Sequence, residues 1–247
     1  MSAKRELAMG VNAVDGLLRH APERLVRAWL KRGNARLDEL ASRLGEAGIP
    51  SEVVDDRALD RLASGVRHQG VVAEFQARQP LDDRGLVDLL EDSPELPLLL
   101  VLDGVQDPHN LGACLRSAAA AGALAVIVPK DRAAGLTPAA RRAAAGAAER
   151  IALVQVTNLA RSLGLLADHG IWRLGLVSES DTSLFQANLD GPMALVLGGE
   201  ERGLRRLTRE RCDQLACIPM AGGIESLNVS VAAGIALFEA RRMRMTS

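Results

Sequence analysis

A chain of 247 residues with 48% hydrophobic and 25% charged side chains has an ordinary globular composition, with room for one large domain or two smaller ones. Its formal net charge of −1 gives no global pull toward nucleic acid, and no apolar run approaches the roughly 20 residues a membrane span needs. Cys114, Cys212 and Cys217 form no CxxC pair, and His20, His68, His109 and His169 lie far apart, which argues against a disulfide framework and a metal site.

The opening residues, Met1 to Glu6, are not followed by an apolar stretch of the secretory kind, so a cytoplasmic location is expected. Val11 to His20 reads as a helix with Val14, Leu17 and Leu18 on one face. Leu25 to Leu30 reads as a strand. Asn34 suits the cap of a helix running to Glu46, which Gly48 and Pro50 end. A strand at Ser51 to Val54, a helix at Arg57 to Ala63 and a strand at Gly70 to Gln76 complete a small α/β domain over residues 1–76. Residues 77–97 concentrate proline, glycine and acidic side chains, the marks of a linker, with a short helix near Leu86 to Leu90.

From residue 98 the pattern becomes regular. Apolar runs recur at Leu98 to Asp103, Leu124 to Val128, Ile151 to Val156, Ile171 to Val177, Met193 to Leu197 and Leu215 to Ile218. Runs without alternation are buried on both faces, as in parallel sheets. Helical segments lie between them at Leu111 to Ala121, after the Thr137-Pro138 start signal, at Asn158 to Asp168, at Leu204 to Cys212 and at Val229 to Arg244. This alternation predicts an α/β domain over residues 98–247 with a mostly parallel sheet.

In such sheets ligands bind at the carboxyl ends of the strands, and three segments there carry polar residues or glycines. After Asp103, a polar loop enters a helix with Asn110 near its start and Arg116 further along. A helix start with an arginine nearby suits a phosphate; an asparagine cap and a solvated arginine would read the same way. The second segment, Leu197-Gly198-Gly199-Glu200-Glu201-Arg202-Gly203, has glycines that would let a ligand approach the backbone, but it is neither a GxGxxG fingerprint nor a Walker loop. In the third, the run ending at Ile218-Pro219-Met220 leads through Gly222 and Gly223 to Ser226-Leu227-Asn228-Val229-Ser230, where Ser226 is expected to open a long helix.

Together these segments resemble the SpoU, or TrmH-like, RNA ribose methyltransferases of the SPOUT class. Asn110, Gly112 and Arg116 match that family's first motif, Gly198, Glu200 and Gly203 its second, and Ser226 to Ser230 its third, in order. The likeness extends over most of the chain and is nearest to the bacterial enzymes that methylate a guanosine of 23S rRNA. The first 76 residues resemble those enzymes' substrate-binding domain, of ribosomal-protein L30e-like fold.

The resemblance implies a trefoil knot near the C-terminus, a homodimer paired through the knotted domain, and S-adenosylmethionine as cofactor. Leu197, Gly198, Gly203, Ile218, Met220 and Leu227 would contact that cofactor. It further implies that Arg116 serves the reacting ribose 2′-hydroxyl and its neighbouring phosphate. Asn110, Ser226 and Asn228 would position the ribose and Arg116, and Glu200 would hold a loop or an arginine. The substrate implied is 23S rRNA; another rRNA or tRNA nucleotide, or a non-catalytic RNA-binding or ribosome-assembly role on the same scaffold, are the alternatives. With so few aromatics a base-stacking platform is not expected, so arginines are the expected RNA contacts. Arg24, Arg27, Lys31, Arg32 and Arg36 in the small domain, and Arg202, Arg205, Arg206 and Arg209 beside the second motif, are the candidates.

Overall fold

The computed structural model describes residues 5–93, 96–200, 202–222 and 225–246. Of the residues named above, Met1 to Lys4, Glu201 and Gly223 lie outside them. The chain builds two sheets. The first contains β1 (Arg5–Met9), β2 (Leu25–Leu30), β3 (Ser51–Val53) and β4 (Val71–Gln76), in the order β1-β4-β2-β3. Helices α1 (Val11–His20), α2 (Ala35–Glu46) and α3 (Asp56–Ala63) accompany it. Asn34 caps α2 by accepting from the Leu37 N–H, and Asp55 caps α3 through the Ala58 N–H. Strand β1 is absent from the sequence reading: five residues with only Ala8 buried carry little periodicity, and its place comes from antiparallel pairing with β4.

The second sheet has the order β10-β8-β9-β5-β6-β7, every pairing parallel. Its strands are β5 (Leu98–Asp103), β6 (Ala125–Pro129), β7 (Ala152–Val156), β8 (Trp172–Leu176), β9 (Met193–Gly198) and β10 (Gln214–Ala216). The helices are α4 (Asp83–Glu91), α5 (Pro108–Ala121), α6 (Pro138–Ala144), α7 (Leu159–Asp168), α8 (Arg206–Glu210) and α9 (Val229–Thr246). All six residues of β5 are buried. Alternate side chains serve opposite faces: Leu98, Leu100 and Leu102 pack with Leu111, Leu115 and Leu237, and Leu99 and Val101 pack with Leu86, Leu159 and Leu163. That double burial is why the strand reads as an unbroken apolar run. The run at β8 departs from it, since Trp172 is 47% exposed, and β10 at the sheet edge is only partly buried.

Residues 81–91 belong physically to this second core. Leu81 exchanges backbone hydrogen bonds with Leu153 and Gln155 beside β7, and Leu86 is fully buried in the second core. Helix α8 is shorter than its apolar pattern suggested. Gly203, with φ of +58°, and Arg205, whose N–H binds the Asp103 carboxylate, are spent in the loop before it.

The two halves meet at a layer of arginines. Arg141 of α6 donates to Glu6 of β1 at 3.0 Å and pairs with Glu149, which also faces Arg24 of the first half at 2.7 Å. The guanidiniums of Arg24 and Arg141 lie 5.7 and 5.2 Å from the centroid of the buried Phe75 ring, a cation–π arrangement. Several expected RNA-facing cations are therefore engaged elsewhere: Arg24 here, Arg27 with Glu74, Lys31 with Asp56, and Arg36 with Asn12.

Gly112 has a packing role. A Cβ there would lie 2.3 Å from the Ala140 carbonyl oxygen and 2.5 Å from the Ala143 Cβ, because α5 and α6 touch backbone to backbone. Gly112→Ala is expected to destabilise the protein by about 1–3 kcal/mol through overpacking. A thermal melt should show a Tm several degrees lower; an unchanged Tm would mean the helices separate freely.

Candidate active site

The carboxyl ends of four adjacent strands lie level. Ala216 of β10 pairs with Leu176 of β8, Leu176 with Leu197 of β9, and Leu197 with Leu102 of β5. The next residues, Cys217, Gly198 and Asp103, therefore open onto one edge. Cys217 is held by the segment that joins β8 to β9: its N–H donates to Thr182 at 2.8 Å and its carbonyl accepts from Leu184 at 2.7 Å. Consecutive residues of a strand present their backbone groups to opposite sides. The stretch 214–217 is thus bracketed by β8 on one side and by the chain just after β8 on the other.

Asp103 ends β5 as a buried charge, its side chain 0% exposed. It accepts from the Arg205 N–H at 2.9 Å and from Arg205 Nε at 2.5 Å, and its carbonyl accepts from the Gly199 N–H at 3.0 Å. Three bonds from one residue hold the loop that follows β9. Within that loop the Gly203 N–H reaches the Gly199 carbonyl at 2.9 Å. A Cβ on Gly198 would lie 2.0 Å from the Gly203 carbonyl carbon, and one on Gly199 would lie 2.7 Å from the Gly104 oxygen. These two glycines are required by the crossing of chain on chain, whatever ligand the loop meets.

Asn110, Glu200 and Asn228 come together from three separate segments. Asn110 Nδ2 donates to Glu200 Oε1 at 2.9 Å, and Asn228 Nδ2 donates to the same oxygen at 2.7 Å and to Asn110 Oδ1 at 3.0 Å. Asn228 Oδ1 accepts from the N–H and hydroxyl of Ser230 at 2.9 and 2.6 Å. Neither expected cap is the one found. Asp107 caps α5, leaving Asn110 free for the network, and α9 begins after Asn228 rather than at Ser226, which is exposed. Among the described residues Glu200 accepts from two asparagines and from no arginine.

Arg116 stands apart from this triangle. It is exposed on α5, and among the described residues it has no hydrogen bond or ion pair. Leu197 is buried, Ile218 and Leu227 are half-buried, Met220 is 36% exposed, and the open Gly203 and Gly222 have nothing within 4 Å of a Cβ position. Apolar side chains beside open backbone suit a largely neutral ligand with polar edges. The thiols of Cys114 and Cys212 are pushed up to about 12 by burial, so neither offers a nucleophile. Among the described residues no group of His, Cys, Asp or Glu could hold a metal, and no helix is long and apolar enough to cross a membrane.

Comparison with known proteins decides the family. Residues 97–238 match the model of the SpoU rRNA Methylase family, and residues 7–81 match that of RNA 2′-O ribose methyltransferase substrate binding. The chain belongs to the SpoU rRNA methylase family. It is 51% identical over 245 residues to the 23S rRNA (guanosine-2′-O-)-methyltransferase RlmB of Haemophilus influenzae, covering 98% of this chain and 99% of that one. The RlmB of Pseudomonas aeruginosa is 53% identical over 241 residues, covering 97% of each chain. Among solved structures, the SpoU methyltransferase AviRb from Streptomyces viridochromogenes, in complex with AdoMet, superposes with a TM-score of 0.79 at 27% identity. That match covers 98% of this chain and 92% of AviRb. Within this SpoU chain, Asp103 is the residue that the sequence did not single out, and Arg205, expected as an RNA contact, is instead paired with it. The available signal was an acidic residue closing an otherwise apolar run.

Arg205→Ala leaves the buried Asp103 carboxylate with only a backbone donor. The expected cost is about 3 kcal/mol, the lower end for a buried charge stripped of its partner. Urea unfolding would measure it, and a midpoint matching the parent would show that Asp103 does not depend on Arg205.

Proposed function

We propose that this protein transfers a methyl group from S-adenosylmethionine to the ribose 2′-hydroxyl of a guanosine in 23S rRNA. The observation that carries the reading is the hydrogen-bonded meeting of Asn110, Glu200 and Asn228, one residue from each of three motifs, at the carboxyl edge of the sheet. The full-length likeness to RlmB enzymes supports the substrate.

The residues fit the cofactor. The backbone at Gly198, Gly203 and Ile218, with Leu197, Met220 and Leu227, would hold it, and when bound it supplies a methyl already activated on a sulfonium. The chain's own part is orientation. Asn110 and Asn228 are locked to Glu200, so their remaining polar edges are fixed before RNA arrives. Ser226 adds an exposed hydroxyl beside them for the ribose. Arg116 grips the adjacent phosphate and polarises the 2′-hydroxyl; a guanidinium stays charged and does not take the proton itself.

The bracketing of residues 214–217 by the chain after β8 supports the proposed trefoil knot. The homodimer of this reading would pair through α9. Val231, Phe238 and Met245, spaced by seven residues along one face, are 50%, 48% and 75% exposed, whereas Leu237 of the same helix is fully buried in the core. A cytoplasmic enzyme acting on rRNA completes the reading.

Arg116→Ala is expected to abolish methyl transfer while S-adenosylmethionine affinity stays within a few-fold, measured by tritium transfer to unmodified 23S rRNA and by calorimetry. Turnover near the parent rate would remove Arg116 from the chemistry. The first half is proposed to bind RNA and to leave the cofactor alone. A shortened chain beginning at residue 79 retains Leu81 and α4 in the second core, so it should bind cofactor but methylate rRNA far more slowly. Equal rRNA methylation by the shortened chain would end that division of labour.

A further inference from the structure

A cavity of about 310 Å³ lies where the two halves meet, lined by His20, Glu23, Arg24, Arg78, Glu149 and Arg150. Its cations come from three stretches of chain. His20 and Arg24 flank the turn after α1, Arg78 follows β4, and Arg150 precedes β7. Apart from Ala21 the lining is polar, so the cavity offers no surface on which a base or nucleoside could stack.

The charges do not balance. Glu149 is 5% exposed and already faces Arg24 and Arg141. Arg24 directs Nε to the Gln76 carbonyl and Nη1 toward Glu149, and its Nη2 is buried without a hydrogen-bond partner. Arg78 and Arg150 are exposed and form no ion pair among the described residues, and Glu23 pairs with neither. The field at His20 reports the same excess: burial first, then the charges of Arg150 and Arg19, hold its imidazole below the usual range, against the opposing pull of Asp15. Glu149 Oε2, 2.7 Å from Arg24 Nη1, is likewise buried without a hydrogen bond, so the inner donor and acceptor offset each other. The uncompensated charge is that of the exposed Arg78 and Arg150 guanidiniums, which an anion with several oxygens would answer.

We propose that this cavity is a phosphate subsite that seats one phosphodiester of the RNA substrate, with Arg78 and Arg150 gripping it and Arg24 behind. The proposal rests on the RNA-modifying reading above. Phosphodiester oxygens accept from the guanidinium forks, and the ribose and water fill the remaining volume. Contacts of this class fix the register of the RNA without reading its sequence. Because Arg24 and Arg78 come from the first half and Arg150 from the second, a phosphate bound here also ties the two halves together. Free inorganic phosphate offers the same chemistry, so the test separates the two sources.

The experiment uses the full chain and an R78A/R150A double variant, neither residue belonging to the methyl-transfer site. Inorganic phosphate is titrated while the His20 imidazole resonances are followed by NMR. A 23S rRNA hairpin is bound at several salt concentrations, and S-adenosylmethionine affinity is the control for folding. The expected result is that phosphate moves the His20 resonances and raises its midpoint in the parent but not in the variant. The variant should bind RNA about tenfold more weakly, with a salt slope shallower by about 0.7 to 0.9 for the one phosphate no longer neutralised, and bind the cofactor unchanged. A His20 response with RNA affinity and slope equal to the parent's overturns the RNA assignment and leaves a free-anion site. No phosphate response in the parent overturns the subsite altogether. A parent that binds cofactor and phosphate but no rRNA overturns the functional reading and, with it, the RNA half of this one.

Discussion

The short stretch 214–217 has to be hydrogen-bonded on both sides, and the architecture of the site follows from that. Ala216 is paired to β8, and Cys217 is paired to the chain that leaves β8. The strand entered last is thus enclosed by chain laid down earlier. Its exit at Ile218 is thereby delivered to the ends of β9 and β5 instead of to open solvent. From there the chain returns to α9, which packs on the α5 side of the sheet and brings Asn228 against Asn110 and Glu200. A strand paired on one side only would leave that return path free to wander.

Such an enclosure leaves little room for side chains, and the glycines reflect it. Gly198 and Gly199 are needed where the loop crosses Gly203 and Gly104, and Gly112 is needed where α5 meets α6. Electrostatics complete the loop. Asp103 is desolvated but surrounded by Arg205 donors and linked to Gly199 through its carbonyl, so a buried charge becomes an anchor for the proposed cofactor-binding turn. The neighbouring carboxylate, Glu200, is held by uncharged amides. Arg116, without a hydrogen bond or ion pair among the described residues, is left with its full charge available to a phosphate.

The junction between the halves uses arginine differently. Arg24 and Arg141 are stacked near Phe75 and shared through Glu149, whereas Arg78 and Arg150 remain uncommitted a few residues away. Close backbone contact of Gly16 with Gly146, where a Cβ on Gly16 would lie 2.8 Å from the Gly146 Cα, sets how near the halves come. The halves therefore meet through an apolar patch, with Leu7, Met9, Leu17 and Phe75 facing Pro138 and Ala148, and through a polar layer beside it that a bound anion would tighten.

Much of this was written locally. The parallel sheet was legible because strands covered on both faces become continuous apolar runs, as in β5 and β9, and helix starts were legible where Asn34, Thr137 and Asn158 cap in the order their chemistry requires. Asn110, Glu200 and Asn228 could be picked out as candidates through their motifs. What they touch could not. Hydrogen bonds between residues separated by 90 and 118 positions leave no periodicity, so the meeting of Asn110 with Glu200 and Asn228 could not be read from the chain. The same holds for β1, too short to show a pattern, and for Arg24 and Lys31, which composition offers as RNA contacts and which tertiary structure assigns to Glu149 and Asp56. Sequence fixes which groups are present and how each segment coils, because those depend on neighbours a few residues away. Only the closed fold decides which charges find partners and which stay free for a ligand, because that depends on distances set by every element at once.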